Sequence, residues 1–353
     1  MKLKALALGS GILIVLAVAA VAVNRWWYAP PSAGRIGQPL LPDLDLSETS
    51  QIRIESNEHE VTLNSEDGTN WTVAEQHGFP VDTKKLKGLL FKLANERVAH
   101  QVTENPDKLA ALGLLMPEEN GNKREKDKTG VLVSLLDKQG QPMFRLLIGN
   151  DRSQGAAFGG TYVRFPEHSA AYLVSDSILA DFRPEDWIDT VVFDVEADKV
   201  LKSIRISKSG KRPLRLGRDK PGDPWRVDGI DPERLNQQEA KSLANQIAGL
   251  DIFNVMPGDS DPAKVGRKKT GRLEFEFFDK RKFTVEIGEE AAPDDYRYLT
   301  LRAELDPSVQ DEGLRRQVEA FNRRYDGRLL AVYDWDGGRM LRERKDFLAK
   351  KKP

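Results

Sequence analysis

The chain has 353 residues, a length suited to about two domains. Its 54 Lys and Arg against 55 Asp and Glu leave a net charge of −1, which excludes the basic excess of a general nucleic-acid binder, while 39% hydrophobic residues suffice for packed cores. There is no cysteine, which excludes disulfides, thiolate metal sites, cysteine nucleophiles and lipid attachment at an N-terminal cysteine.

Lys2 and Lys4 precede the uncharged run ALALGSGILIVLAVAAVAV, followed by Asn24, Arg25 and the aromatic triplet Trp26, Trp27, Tyr28. A helix rising about 1.5 Å per residue over this run crosses a hydrocarbon core of about 30 Å. Amphipathic rings settle at the membrane–water interface, and the lysines favour a cytoplasmic N-terminus. Residues 1–28 are therefore expected to be a transmembrane signal anchor. Ala20-Val21-Ala22 also makes an acceptable cleavage site, so a cleaved signal peptide is the competing reading. Either way the body of the chain is expected outside the cytoplasm. Residues 29–48 begin APPSAGRIGQPLLPDLD, rich in proline and small residues, and read as a spacer.

Past the spacer the chain states one pattern twice. Ile52-Arg53-Ile54, Val61-Thr62-Leu63 and Trp71-Thr72-Val73 alternate with period two, as do Ile204-Arg205-Ile206, Leu214-Arg215-Leu216 and Trp225-Arg226-Val227. A helix follows each tryptophan strand. Asp82 caps the first, with the stripe Leu86, Leu89, Leu90, Leu93; Asn236 caps the second, with Ala240, Leu243, Ala244, Ile247. From Trp71 to Val98 and from Trp225 to Ile252 the two copies align without a gap. Asn105-Pro106-Asp107-Lys108 and Asp261-Pro262-Ala263-Lys264 both read as helix starts with proline in the first turn, the second much shortened. Thr129-Gly130 and Thr270-Gly271 open hairpins that end at Ile148-Gly149 and Ile287-Gly288. Tyr162-Val163-Arg164 with Ala171–Val174 then matches Tyr298–Leu301 with Leu330–Tyr333. An insertion around 303–327 in the second copy carries Val318, Phe321 and Tyr325 at helical spacing.

The expected fold class is thus α+β: a transmembrane helix followed by two tandem repeats, each a mostly antiparallel sheet with one main amphipathic helix. The repeats are placed at 49–180 and 200–338, joined by a connector at 181–199 that Trp187 and Phe193 pack, and followed by a basic tail at 339–353.

Chemistry is sparse. His59, His77, His100 and His168 have no partner at metal-ligand spacing. Gly155, Gly159 and Gly160 lack the following Lys-Ser/Thr of a phosphate loop and read as a hairpin end. Asp334-Trp335-Asp336-Gly337 lacks the remaining ligands of a calcium loop and reads as a turn. Trp71 and Trp225 are placed in the cores. No catalytic, cofactor or metal site is expected. Two basic clusters at equivalent points, Lys123, Arg124, Lys126 and Lys128 in one copy and Arg267, Lys268 and Lys269 in the other, are candidate contacts with anionic headgroups or an acidic partner; a solvated loop is the plainer reading.

The tryptophan strand, Pro80-Val81-Asp82, the leucine helix, NPDKLAALGL, Ile148-Gly149-Asn150 and Tyr162-Val163-Arg164 together resemble the bacterial family called domain of unknown function 4340. The resemblance is strongest over residues 50–176. It implies a single-span envelope protein of repeated α+β units, in a family whose genes often neighbour those of a gliding-motility-type ABC transporter. It implies no catalytic residues. The expectation is therefore a non-enzymatic, membrane-anchored accessory or scaffold of an ABC-type transport system. The alternative is a module holding a lipid or glycan between the two repeats.

Overall fold

The computed structural model describes residues 35–41, 46–117, 126–152, 159–178, 182–260, 269–291 and 296–349. The expected anchor, residues 1–28, lies outside them. Among the described residues no helix is long and apolar enough to cross a membrane. The chain forms two compact units that meet in sequence at Asp189 and Thr190.

In the first unit, β1 (Gln51–Glu55), β2 (Glu60–Ser65), β3 (Trp71–Val73) and β4 (Phe79–Pro80) form an antiparallel meander. The helix α1 (Thr83–Asn95) leads to β5 (Val98–Thr103), and β6 (Val131–Leu136), β7 (Pro142–Asp151), β8 (Thr161–Arg164) and β9 (Ala171–Val174) follow. The sheet order is β4-β3-β2-β1-β6-β7-β8-β9-β5, so α1 carries the chain from one edge of the sheet to the other. Asp82 Oδ1 accepts the Lys84 and Lys85 amides at 2.8 and 3.2 Å, which satisfies two of the helix's orphan donors. Leu86, Leu89 and Leu93 are buried; Leu90 is half-buried.

In the second unit the short helix α2 (Ala197–Val200) precedes β10 (Leu201–Lys208), β11 (Leu214–Gly217) and β12 (Arg226–Val227). Trp225 is buried just ahead of its two-residue strand rather than within it. The helix α3 (Gln237–Ala248), capped by Asn236, leads to β13 (Asn254–Pro257). β14 (Lys269–Phe277), β15 (Arg281–Ala291), β16 (Tyr296–Leu305), α4 (Glu312–Tyr325), β17 (Arg328–Tyr333) and α5 (Asp334–Met340) complete it. The sheet order is β12-β11-β10-β14-β15-β16-β17-β13. Strand for strand this is the order of the first unit without β4. The architecture is α+β, with two antiparallel sheets built on one plan.

The ends of that plan differ from the sequence reading. Arg35–Leu41, taken as spacer, is a strap on the first unit: the Gly37 amide donates to Val98 O, Leu40 to Glu96 O and Leu41 to Leu93 O, and both leucines are buried. Thr190–Phe193 does the same in the second unit, where Val192 and Phe193 donate to Leu250 O and Ile252 donates to Thr190 O. Counted from the two tryptophans, Glu96 and Leu250 are the same position.

A closing element matches as well. In the first unit a 3-10 turn, Pro184–Trp187, ends in a bridge between Ile188 and Val81, and the Trp187 carbonyl accepts the Asp82 amide at 2.8 Å. In the second a 3-10 turn, Arg344–Phe347, ends in a bridge between Leu348 and Leu235, and the Phe347 carbonyl accepts the Asn236 amide at 2.9 Å. The connector at 181–199 is therefore the end of one unit and the start of the next. The described part of the basic tail is packed structure. Asp334-Trp335-Asp336-Gly337, read as a turn, opens α5.

The insertion forms α4, with Val318 and Tyr325 buried and the half-buried Phe321 stacked on Phe193 at 5.5 Å. β17 pairs with β16 only as far as Leu299. Beyond it, Asn322 Oδ1 accepts the Ala303 amide at 2.8 Å and Nδ2 donates to the Ala303 carbonyl at 2.9 Å, so α4 covers backbone that an open edge would expose.

The β2–β3 turn carries a pH-sensitive cap. Asp67 Oδ1 accepts the Asn70 and Thr69 amides, both at 2.8 Å, and Oδ2 accepts Asn70 Nδ2 at 2.6 Å. These bonds, the Asn70 amide foremost, hold its carboxyl well below the usual 3.8. A depressed carboxylate stabilises the fold above its unfolded value and loses that contribution as the pH falls towards the folded one. Asp67→Asn is expected to be less stable than wild type at neutral pH, with the gap closing below pH 3.8 in an acid series of urea melts.

Candidate functional site

Among the described residues the two sheets differ in the covering of one face. In the first unit the register Leu132–Leu147–Arg164–Ala171 runs across β6, β7, β8 and β9. The segment after β5 lies over it: Leu109 and Leu114 join Leu132, Leu147 and Ala171 in one buried cluster, with Leu112, Leu115, Met116 and Tyr162 against it. Two 3-10 turns, Pro106–Lys108 and Ala110–Leu112, shape this cover, and Asn105 Oδ1 accepts the Asp107 amide at 2.9 Å to start it. Glycine is required beneath it. A methyl group on Gly149 would strike Leu112 O and the Leu114 side chain, and one on Gly130 would strike Gly113 O. NPDKLAALGL and Ile148-Gly149 are thus two sides of one contact.

In the second unit the same row is polar. Ile204 and Ile206 pair with Phe275 and Leu273 as Ile52 and Ile54 pair with Leu135 and Val133. Arg272 then holds the place of Leu132, Glu286 that of Leu147 and Thr300 that of Arg164. These three side chains, with Tyr298, Arg302 and Arg328, line a trough of about 690 Å³. Gly258 and the Asp326-Gly327 turn border one end.

Both signs of charge line it. Arg272 pairs with Glu274 at 3.0 Å and Arg302 with Glu304 at 3.6 Å. Burial lowers the affinity of the Arg328 guanidinium for its proton, and the like charge of Arg324 lowers it further. A cluster of guanidiniums on a sheet floor with carboxylates and a threonine hydroxyl suits an extended polar ligand. The Tyr298 ring adds an apolar patch backed by Leu329 and Ala331.

Reasoning on the sequence passed over these residues, although a signal was present. β6 reads VLVSLL, apolar on both faces, and β14 reads RLEFEF over its last six residues, strictly alternating. A sheet covered on both sides gives the first pattern and a sheet with one solvated side gives the second.

The residues singled out earlier lie elsewhere. Lys2, Lys4, Trp26, Trp27, Tyr28, Lys123, Arg124, Arg267 and Lys268 are outside the described residues. Lys126 and Lys128 bound a 3-10 turn in the first unit, and Lys269 opens β14 in the second. Trp71 and Trp225 are buried. Among the described residues no three His, Cys, Asp or Glu side chains are grouped to hold a metal ion.

A second polar cluster joins α3 to the closing element. Arg342 Nη1 donates to Glu239 O at 2.7 Å and to its carboxylate at 2.8 Å, and Nη2 donates to Ser242 Oγ at 3.1 Å. Every group in this cluster ties one element to another.

A family model described as a domain of unknown function (DUF4340) matches residues 71–270, more than half of the chain. No curated protein and no solved structure matches it.

Proposed function

The chain belongs to the DUF4340 family, and from that premise we propose that it is a non-enzymatic, membrane-anchored accessory or scaffold protein of the bacterial cell envelope, working beside an ABC-type transporter. Residues 1–28 anchor it in the inner membrane with the N-terminus in the cytoplasm, and the two units stand in the periplasm. The observation that supports this best is the apolar, aromatic-bordered leader ahead of a body that builds one plan twice. Several polar contacts in that body join one element to another, Arg342 to Glu239 and Ser242 among them. Affinity purification of the detergent-solubilised full chain is expected to recover a membrane-protein partner, such as a transporter permease. Repeated purification without one would sink the scaffold reading.

The trough favours a second reading, an envelope ligand-binding module. Its ligand site is then on the second unit's own sheet. Native mass spectrometry of the solubilised chain is expected to find a polar adduct that Arg302→Glu abolishes. A wild-type protein that carries no adduct disposes of this reading.

A further inference from the structure

We propose that the outer face of α1 and the neighbouring strap form a docking surface for the anionic headgroups of the bilayer in which the chain is anchored. This rests on the anchored reading above, and three observations carry it.

The first is chemistry at matched positions. The sequence of α1 is TKKLKGLLFKLAN: Lys84, Lys85, Lys87 and Lys92, with no acid. The same positions of α3 hold Gln238, Glu239, Lys241 and Gln246, a neutral set. Phe91 is 65% exposed, and Asn245 stands in its place in α3. Lys85 donates to Asp186 O and Glu239 is held by Arg342, so in two helices that share a fold position and a cap type the outer positions Lys84, Lys87 and Lys92 stand against Gln238, Lys241 and Gln246. One is basic with an exposed aromatic ring, the combination that binds an anionic interface, and the other is not.

The second is geometry. Lys84, Gly88, Phe91 and Asn95 follow one another at spacings of three and four along the exposed side of α1. Lys92 Nζ donates to Ser177 O at 2.8 Å, which orients its ammonium without neutralising it. Among the described residues Lys84, Lys87 and Lys92 make no ion pair. In the strap, Ile36, next to the Gly37 that is bonded to Val98 just past the helix, is 52% exposed.

The third is reach. The strap is bonded to the last turn of α1 and the start of β5 through Leu41, Leu40 and Gly37. Only residues 29–34 separate Tyr28 from Arg35, and a fully extended chain of that length spans about 25 Å. A bilayer that holds Tyr28 at its surface therefore lies within about 25 Å of Arg35, the start of the strap that is bonded to the last turn of α1.

The absence of cysteine supplies the test. The full chain carrying Asn95→Cys, or Gln238→Cys on α3 as control, takes a single fluorophore and is reconstituted in nanodiscs containing phosphatidylglycerol and headgroup spin-labelled lipid. The label at position 95 is expected to be quenched and that at 238 not. Lys84→Gln, Lys87→Gln and Lys92→Gln together should release the face, each lysine being worth about fivefold in the docked-to-undocked ratio, and so should phosphatidylcholine alone or high salt. Equal quenching at both positions, or quenching indifferent to the lysines, overturns the proposal while the anchor stands. A label shielded from aqueous iodide but untouched by spin-labelled lipid assigns the face to a protein partner and also overturns it. Release of the wild type from vesicles by a carbonate wash removes the anchor, and the proposal with it.

Discussion

Phe347→Ala is expected to destabilise the second unit by about 3–5 kcal/mol, although the residue lies six positions before Pro353 in a lysine-rich stretch. The ring is 0% exposed, and the backbone on either side of it holds the start of α3: Phe347 O accepts the Asn236 amide, and the Ala349 amide donates to Arg234 O at 2.8 Å. Removing the ring leaves a cavity under the first turn of the helix and loosens the bridge that fixes the helix direction. Lys345→Ala, which removes charge from a side chain 76% exposed, is expected to stay within about 0.5 kcal/mol of wild type. Urea melts of the solubilised full chain, with hydrogen exchange in α3 as the local readout, separate the two outcomes. If Phe347→Ala melts with Lys345→Ala, the stretch is a tail after all. Trp187, equally buried and bonded through its carbonyl to Asp82, predicts the same loss in α1 for Trp187→Ala.

The middle of each unit was legible in the sequence and its ends were not, for a physical reason. Helices α1 and α3 announce themselves through repeated apolar positions and a capping side chain, signals that several residues carry together. The strap and the closing element bury only a few side chains each: Leu40 and Leu41 in one, Trp187 and Ile188 or Phe347 alone in the other. Their fit comes from backbone bonds to residues more than a hundred positions away for the closing elements, and such bonds leave no periodic trace. Composition then misleads. Proline near the strap looks like a linker, and arginine and lysine around Phe347 look like a solvated tail. The trough was missed for a different reason, because it arises by subtraction. The cover that Leu109, Leu112 and Leu114 provide in the first unit has no leucine-rich equivalent after Pro262, and the floor beneath has changed from Leu132 and Leu147 to Arg272 and Glu286.

Arg218→Met is expected to cost about 2–4 kcal/mol, whereas Asp198→Asn, which removes its only ion-pair partner among the described residues, should cost about 1 kcal/mol or less. The Arg218 side chain is 0% exposed, and Asp198 is 59% exposed, so water screens their 2.8 Å pair on one side. The decisive partners are carbonyls. β10 slips register between Leu201 and Ser203 against β14, an irregularity that leaves backbone out of the ladder. Arg218 Nε donates to Leu201 O at 2.8 Å, and Nη2 donates to Ala197 O. The guanidinium also lies over the Trp225 ring, 4.5 Å from its centroid. Methionine keeps the contact with the ring but supplies no donor, so Leu201 O loses its guanidinium partner and Ala197 O is left with the Leu201 amide alone. Lysine keeps the charge but lacks the planar fork, and Arg218→Lys is expected to recover less than half of the loss. The effect should persist in high salt, because screening reaches the exposed aspartate and not the buried carbonyls. A salt-sensitive loss, or one no larger than that of Asp198→Asn, would mean that the ion pair carries the contact and that the irregularity at Leu201 stands without it.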